Sequence, residues 1–146
     1  MKNGDPKVRE SGTKRPSILL VDDEPVIAEL VAMALRKHNY TVEVHHDGRS
    51  AWQAFQKDPD AHDLVLTDVM MPFMDGPTML RHILSIRPKI PFVILTGIDQ
   101  DEVNRLNGEL DAAAFLVKPV RLNILLSSIN RALANVESAV PKHVVS

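Results

Sequence analysis

Leu64-Val65-Leu66-Thr67-Asp68-Val69-Met70-Met71-Pro72-Phe73-Met74-Asp75-Gly76 is the stretch on which the fold turns. It opens as a short apolar run, meets a carboxylate, and breaks at Pro72 and Asp75-Gly76, which favour turns. A short run without alternation suits a strand buried on both faces. Three other runs share the form: Ile18-Leu19-Leu20-Val21 enters Asp22-Asp23, Phe92-Val93-Ile94-Leu95 enters Thr96-Gly97, and Phe115-Leu116-Val117 enters Lys118-Pro119. A fifth segment, Thr41 to His45, alternates apolar and polar residues, as a half-exposed or edge strand does.

Helical patterns fill the gaps. Pro25 to His38 spaces Val26, Ile27, Leu30, Val31, Ala34 and Leu35 along an expected apolar stripe, with Pro25 in the first turn and Asp or Glu before it as cap. Gly48 to Gln56 predicts a short helix carrying Trp52 and Phe55, with Trp52 in the core. Gly76 to Ile86, the more polar Asp99 to Leu110, and Arg121 to Val136 complete the set. A strand–helix unit thus recurs five times. Parallel strands covered on both faces by right-handed crossovers imply an α/β, flavodoxin-like (βα)5 doubly wound sheet of strand order 2-1-3-4-5.

The 146 residues suit one domain, with 45% apolar and 25% charged residues, ordinary for a globular chain. A formal charge of −2 gives no overall attraction to nucleic acid, and the lack of cysteine excludes disulfides and thiol catalysis. No apolar run approaches the roughly 20 residues of a membrane helix, so the expected location is cytoplasmic. Residues 1–16, with Lys7, Arg9, Lys14 and Arg15, form a basic arm expected to be disordered or to tether an acidic partner. Residues 17–136 form the expected domain, and residues 137–146 a flexible tail. The six histidines show no metal-ligand pairing on a helix face and are expected to be solvated.

In a sheet of this kind ligands bind beyond the carboxyl ends of the strands. Asp22, Asp23, Asp68, Thr96 and Lys118 all stand there. Each has an ordinary reading: the acids before Pro25 cap a helix, Asp68 starts a turn, Lys118 is a surface lysine. Their joint placement at one edge points instead to a site. Two carboxylates about 4 Å apart repel by about 4 kcal/mol at an effective dielectric of 20. Protonation or a cation must relieve that repulsion. Hard oxygen donors favour Mg²⁺. Three acids, one divalent ion and one lysine balance to neutrality, and a phosphorylated aspartate then leaves only a small negative excess.

Asp22-Asp23-Glu24, the segment from Asp68 to Gly76, Thr96-Gly97 and Lys118-Pro119 resemble the signature of response-regulator receiver domains of two-component signalling, similar to single-domain chemotaxis regulators. The resemblance covers about Ser17 to Val136. It implies Asp68 as phosphoacceptor, Asp23 as direct metal carboxylate with Asp22 acting through water, and the backbone carbonyl of Met70 as a further ligand. It implies that Thr96 bonds the phosphoryl group, that Lys118 pairs with it, that Phe115 is an aromatic switch, and that Lys118-Pro119 is cis. The implied phosphodonor is a sensor histidine kinase or phosphotransfer protein. The implied output is an unknown protein read by the face of the fourth helix, fifth strand and fifth helix. Asp111 stands where the family often has Gly before the fifth strand. The resemblance also implies that Met70 and Ile98 flank the approach of a hydrolytic water; both are apolar, which predicts a persistent phosphorylated state.

The competing readings are an Mg²⁺-dependent phosphohydrolase with an aspartyl intermediate and a flavin or nucleotide binder. The first lacks an acid two places after Asp68, where Met70 stands. The second lacks a Gly-rich loop after the first strand, where Asp22-Asp23-Glu24-Pro25 repels phosphate. The expected protein is therefore a signalling phosphoacceptor and not an enzyme acting on other substrates.

Overall fold

The computed structural model describes residues 14–97 and 100–138. Most of the basic arm, the tail after Ser138, Ile98 and His143 lie outside the described residues. The chain alternates β1 (Ser17–Val21), α1 (Pro25–Lys37), β2 (Thr41–His45), α2 (Gly48–Lys57), β3 (Leu64–Asp68), α3 (Gly76–Ile86), β4 (Phe92–Thr96), α4 (Gln100–Glu109), β5 (Ala114–Val117) and α5 (Leu122–Ser138). The strands pair in parallel in the order β2-β1-β3-β4-β5, as the apolar runs imply.

The two-residue period of a strand sends alternate side chains to opposite faces. Ile18 and Leu20 of β1 pack with Ala32 and Leu35 of α1 and with Leu125 and Ile129 of α5. Leu19 and Val21 pack with Phe55 of α2, Met79, Leu80 and Ile83 of α3, and Leu106 of α4. Every residue of β1, β3 and β4 is buried. β5 is not, although its sequence is as apolar as theirs: it forms the second edge of the sheet, and its Val117 is 58% exposed.

Three local expectations change. The side of α1 that meets the sheet is Ala28, Ala32 and Leu35, while Val26, Ile27 and Leu30 are exposed. Small alanines let the helix backbone approach the sheet, which turns the bulkier residues outward. Trp52 is half-buried at the margin of the core, its ring 5.1 Å from that of His82. His62 is not solvated: it is buried, and its Nε2 lies 2.9 Å from Oε1 of Glu43, whose other oxygen meets His45. Burial pushes the Glu43 carboxyl up, but the two imidazoles outweigh it and hold it below the usual value. The non-glycine residues with positive φ are Asn39 and Phe73 among the described residues, so Asp111 does not take the left-handed form that glycine favours.

Candidate functional site

β1, β3, β4 and β5 each deliver one element of the site at their carboxyl ends. β1 runs into Asp22, which is fully buried, and then Asp23, which is exposed. β3 ends on Asp68, 5% exposed. β4 ends on Thr96, 2% exposed, and β5 runs into Lys118 across a cis Lys118-Pro119 bond. Register sets them side by side: Asp68 pairs with Leu95 and Thr96 with Val117. A cavity of about 280 Å³ opens between them, lined by Asp23, Glu24, Asp68, Met70, Thr96 and Lys118, among others.

The loop after Asp68 is held by close backbone packing. A Cβ on Gly76 would sit 2.1 Å from the carbonyl oxygen of Asp68, so no other residue fits without moving the loop. Gly76 N–H also donates to the Val69 carbonyl at 2.8 Å, and Asp75 caps α3 by accepting from Thr78 N–H at 2.8 Å. Asp75 and Gly76 therefore close the loop and start the helix together.

Electrostatics organise the pocket. Lys118 Nζ lies 2.7 Å from Asp68 Oδ1, 3.3 Å from Asp22 Oδ2 and 3.5 Å from Glu24 Oε1. The contact with Asp68 lies off the direction a hydrogen bond needs, and buried Oδ1 has no aligned donor. Burial first, and Asp22 second, push the Asp68 carboxyl from 3.8 up to about 7 against the pull of Lys118. Burial lowers the Lys118 ammonium, but the Asp68 and Asp22 carboxylates outweigh it and raise it above its usual value. Oxygens of Asp22, Asp23 and Asp68 lie within 4.8 Å of one another. Three mutually repelling carboxylates with one lysine between two of them make a set of hard oxygens that fits a divalent cation of the Mg²⁺ kind.

All the strand-end residues singled out in the sequence meet here. Met70 lines the cavity with its side chain 70% exposed, and Phe115 is half-buried against the core beside β4. Ile98, the other expected flank of the water path, lies outside the described residues. Glu24 differs from expectation. It occupies the N-cap position of α1 without a side-chain cap bond, while Asp22 Oδ1 accepts its N–H at 2.9 Å. Its carboxylate turns to Lys118, a contact with no sequence signal because 94 positions separate the two.

Comparison with known proteins agrees with this geometry. Residues 18–130 match the family model described as response regulator receiver domain. The response regulator MprA of Mycobacterium ulcerans is 40% identical over 119 residues, covering 80% of this chain and 49% of that protein. The sensor kinase CckA of Brucella abortus is 35% identical over 118 residues, 80% of this chain and 12% of that protein. The chain thus spans less than half the length of these curated relatives. A response regulator receiver domain from Clostridium thermocellum superposes with a TM-score of 0.79 at 28% identity, covering 86% of this chain and 99% of that one.

Proposed function

The chain belongs to the response regulator receiver domain family, whose members are two-component signalling modules phosphorylated on aspartate, and we propose that Asp68 is its phosphoacceptor, served by Mg²⁺ and Lys118. The observation that carries this reading is the buried Oδ1 of Asp68, 2.7 Å from Lys118 Nζ without an aligned hydrogen bond and facing a cavity lined by Asp23, Thr96 and Lys118. The donor is a phosphohistidine of a sensor kinase or phosphotransfer protein. An Asp68 carboxylate oxygen forms the new P–O bond while the P–N bond of the donor breaks, and the donor ring, already protonated on its other nitrogen, departs as neutral imidazole. Asp68 must be ionised to attack, and the positive charge of Lys118 favours that form.

Asp22, Asp23, Asp68 and the Met70 carbonyl would hold the metal, with Asp22 acting through water. The ion supplies charge neutralisation on the transferred phosphoryl oxygens. Lys118 then pairs with the dianion, and the Thr96 hydroxyl donates to it. Movement of Thr96 frees space for Phe115, and the face of α4, β5 and α5 changes to bind a downstream protein. The working unit is residues 17–136, in the cytoplasm. It does not bind nucleic acid directly, and no described helix is long and apolar enough to cross a membrane.

Intact mass after acetyl phosphate and Mg²⁺ tests the reading. One labile phosphoryl group is expected on the wild type and none on Asp68→Asn. Equal labelling of both proteins would sink the assignment. Steady release of phosphate from small esters would favour the phosphohydrolase instead.

A further inference from the structure

The amino ends of β1, β3 and β4 meet at a second cavity, of about 250 Å³, at the end of the sheet opposite the acid pocket. Lys14, Arg15, Arg87 and Asp63 line it, with Leu133 and Val136 of α5 as an apolar wall. β1 alone separates the two cavities, so they lie roughly 15 Å apart at ~3.3 Å per residue.

Its charges are unbalanced. Three cations face one acid, and none of the three makes an ion pair among the described residues. Asp63 Oδ2 is engaged by the Ser17 N–H at 2.7 Å. Arg87 Nη1 donates to the Pro59 carbonyl at 2.9 Å and to the His62 carbonyl, neutral partners that leave its charge uncompensated. Arg15 is half-buried, and its Nε is shut from solvent with no acceptor among the described residues. A buried donor without a partner is costly, and for a cation more so. Arg87 is positioned by its carbonyl bonds, while the Arg15 fork is left to bind an oxyanion.

We infer that this cavity is a binding site for a tetrahedral oxyanion, a small phosphate-bearing ligand, held by Arg15, Lys14 and Arg87. Three cations against one acid leave a surplus of two positive charges, which matches a dianion better than a monocarboxylate. The donors come from separate directions, two adjacent residues before β1 and one at the end of α3, as the oxygens of a tetrahedral anion require. The apolar wall leaves room for a short organic group on the phosphate. Nothing in this site depends on Asp68.

The test is an amide and arginine side-chain NMR titration of the full chain with inorganic phosphate in EDTA, against sodium chloride of equal ionic strength. Saturable shifts are expected at Arg15 Nε–H, Ser17 and Leu133, with sulfate competing. Loss of one charged hydrogen bond in Arg15→Gln should weaken binding by about tenfold or more. Lys14→Gln should weaken it less, and Asp68→Asn should leave it unchanged. Shifts that sodium chloride reproduces, that never saturate, that centre on Thr96 and Lys118, or that survive Arg15→Gln undiminished would each overturn the inference. If Arg15→Gln does not fold, Lys14→Gln with the wild-type shift pattern still decides it, because an unchanged affinity there together with silence at Arg15 Nε–H also overturns it.

Discussion

The two ends of the sheet carry opposite surpluses. At the carboxyl end Asp22, Asp23 and Asp68 face one lysine, with Glu24 beside it; at the amino end Lys14, Arg15 and Arg87 face one acid. Each end holds a buried polar atom without an aligned partner, Asp68 Oδ1 in one and Arg15 Nε in the other. Between them the core is apolar and fully buried along β1, β3 and β4. Stability resides in that middle layer, where burial adds about 25 cal/mol for each Å² of apolar surface removed from water. The ends give up some of it for charge, and the sign of the surplus sets the class of partner proposed for each: a metal and a phosphoryl group at one end, an anion at the other. The acid pocket is the more tightly built, because four strands converge on it and Lys118 already ties Asp22 to Asp68. The basic cavity takes two of its cations from the chain leading into β1.

The sharpest separation of the ends is chemical. Asp68→Asn should abolish phosphoryl uptake from acetyl phosphate, while Arg15→Gln should leave it at the wild-type level, both read by intact mass. A fall of uptake in Arg15→Gln would show that the ends are not independent. Next in size is a change that breaks the carboxyl end without touching charge. Gly76→Ala places a Cβ 2.1 Å from the Asp68 carbonyl oxygen. It should cost about 3 kcal/mol or more in urea unfolding, at the upper end of single substitutions; a cost below about 1 kcal/mol would mean the loop moves freely.

Relief of repulsion comes third. In EDTA, Asp23→Ala should raise the melting temperature by roughly 2–4 °C, the scale of about 1 kcal/mol, and it should lose most of the stabilisation that Mg²⁺ confers on the wild type. A less stable metal-free variant, or undiminished Mg²⁺ stabilisation, would contradict the like-charge account. A pH series sharpens the same point. Between 3.8 and about 7 folded Asp68 holds a proton that the unfolded chain has lost. Its contribution is therefore complete below 3.8 and gone above about 7, so stability falls as pH rises through that window. The metal-free wild type should lose more stability from pH 5 to pH 8 than Asp68→Asn does, measured by urea midpoints. Parallel pH profiles would mean that Asp68 is ionised throughout. The smallest effect belongs to the other end: Arg15→Met removes the unpartnered buried Nε–H and should raise stability by no more than about 1 kcal/mol, by the same amount with and without Mg²⁺.

The apolar run of β3 and its three counterparts were enough to read the parallel sheet and its order. A strand buried on both faces must be apolar at every position, and few crossovers are then allowed. The acid cluster was legible for a related reason: a doubly wound sheet gathers whatever follows its strands, so the position of Asp22, Asp68, Thr96 and Lys118 in the chain already places them in space. The stripe of α1 was misread because helical spacing finds an apolar face but not which face a neighbour covers. Ala28 and Ala32 win the sheet side through small size, which hydrophobicity does not rank. β5 and β3 are equally apolar in sequence, and only pairing made one an edge.

Contacts between distant residues lay beyond the sequence altogether. His62 is an isolated histidine until folding sets Glu43 of the edge strand against it. Glu24 reads as a helix cap until Lys118, at the far end of the chain, attracts it. Arg15 belongs to a basic arm by composition, and only the packing of α5 and of the turn before β4 closes a cavity around it. Local pattern determines which residues are strand, helix and strand end, since those choices depend on near neighbours and burial. The partner of each charge is decided by tertiary structure, because an ion pair or an orphaned donor depends on distances across the chain that no local pattern encodes.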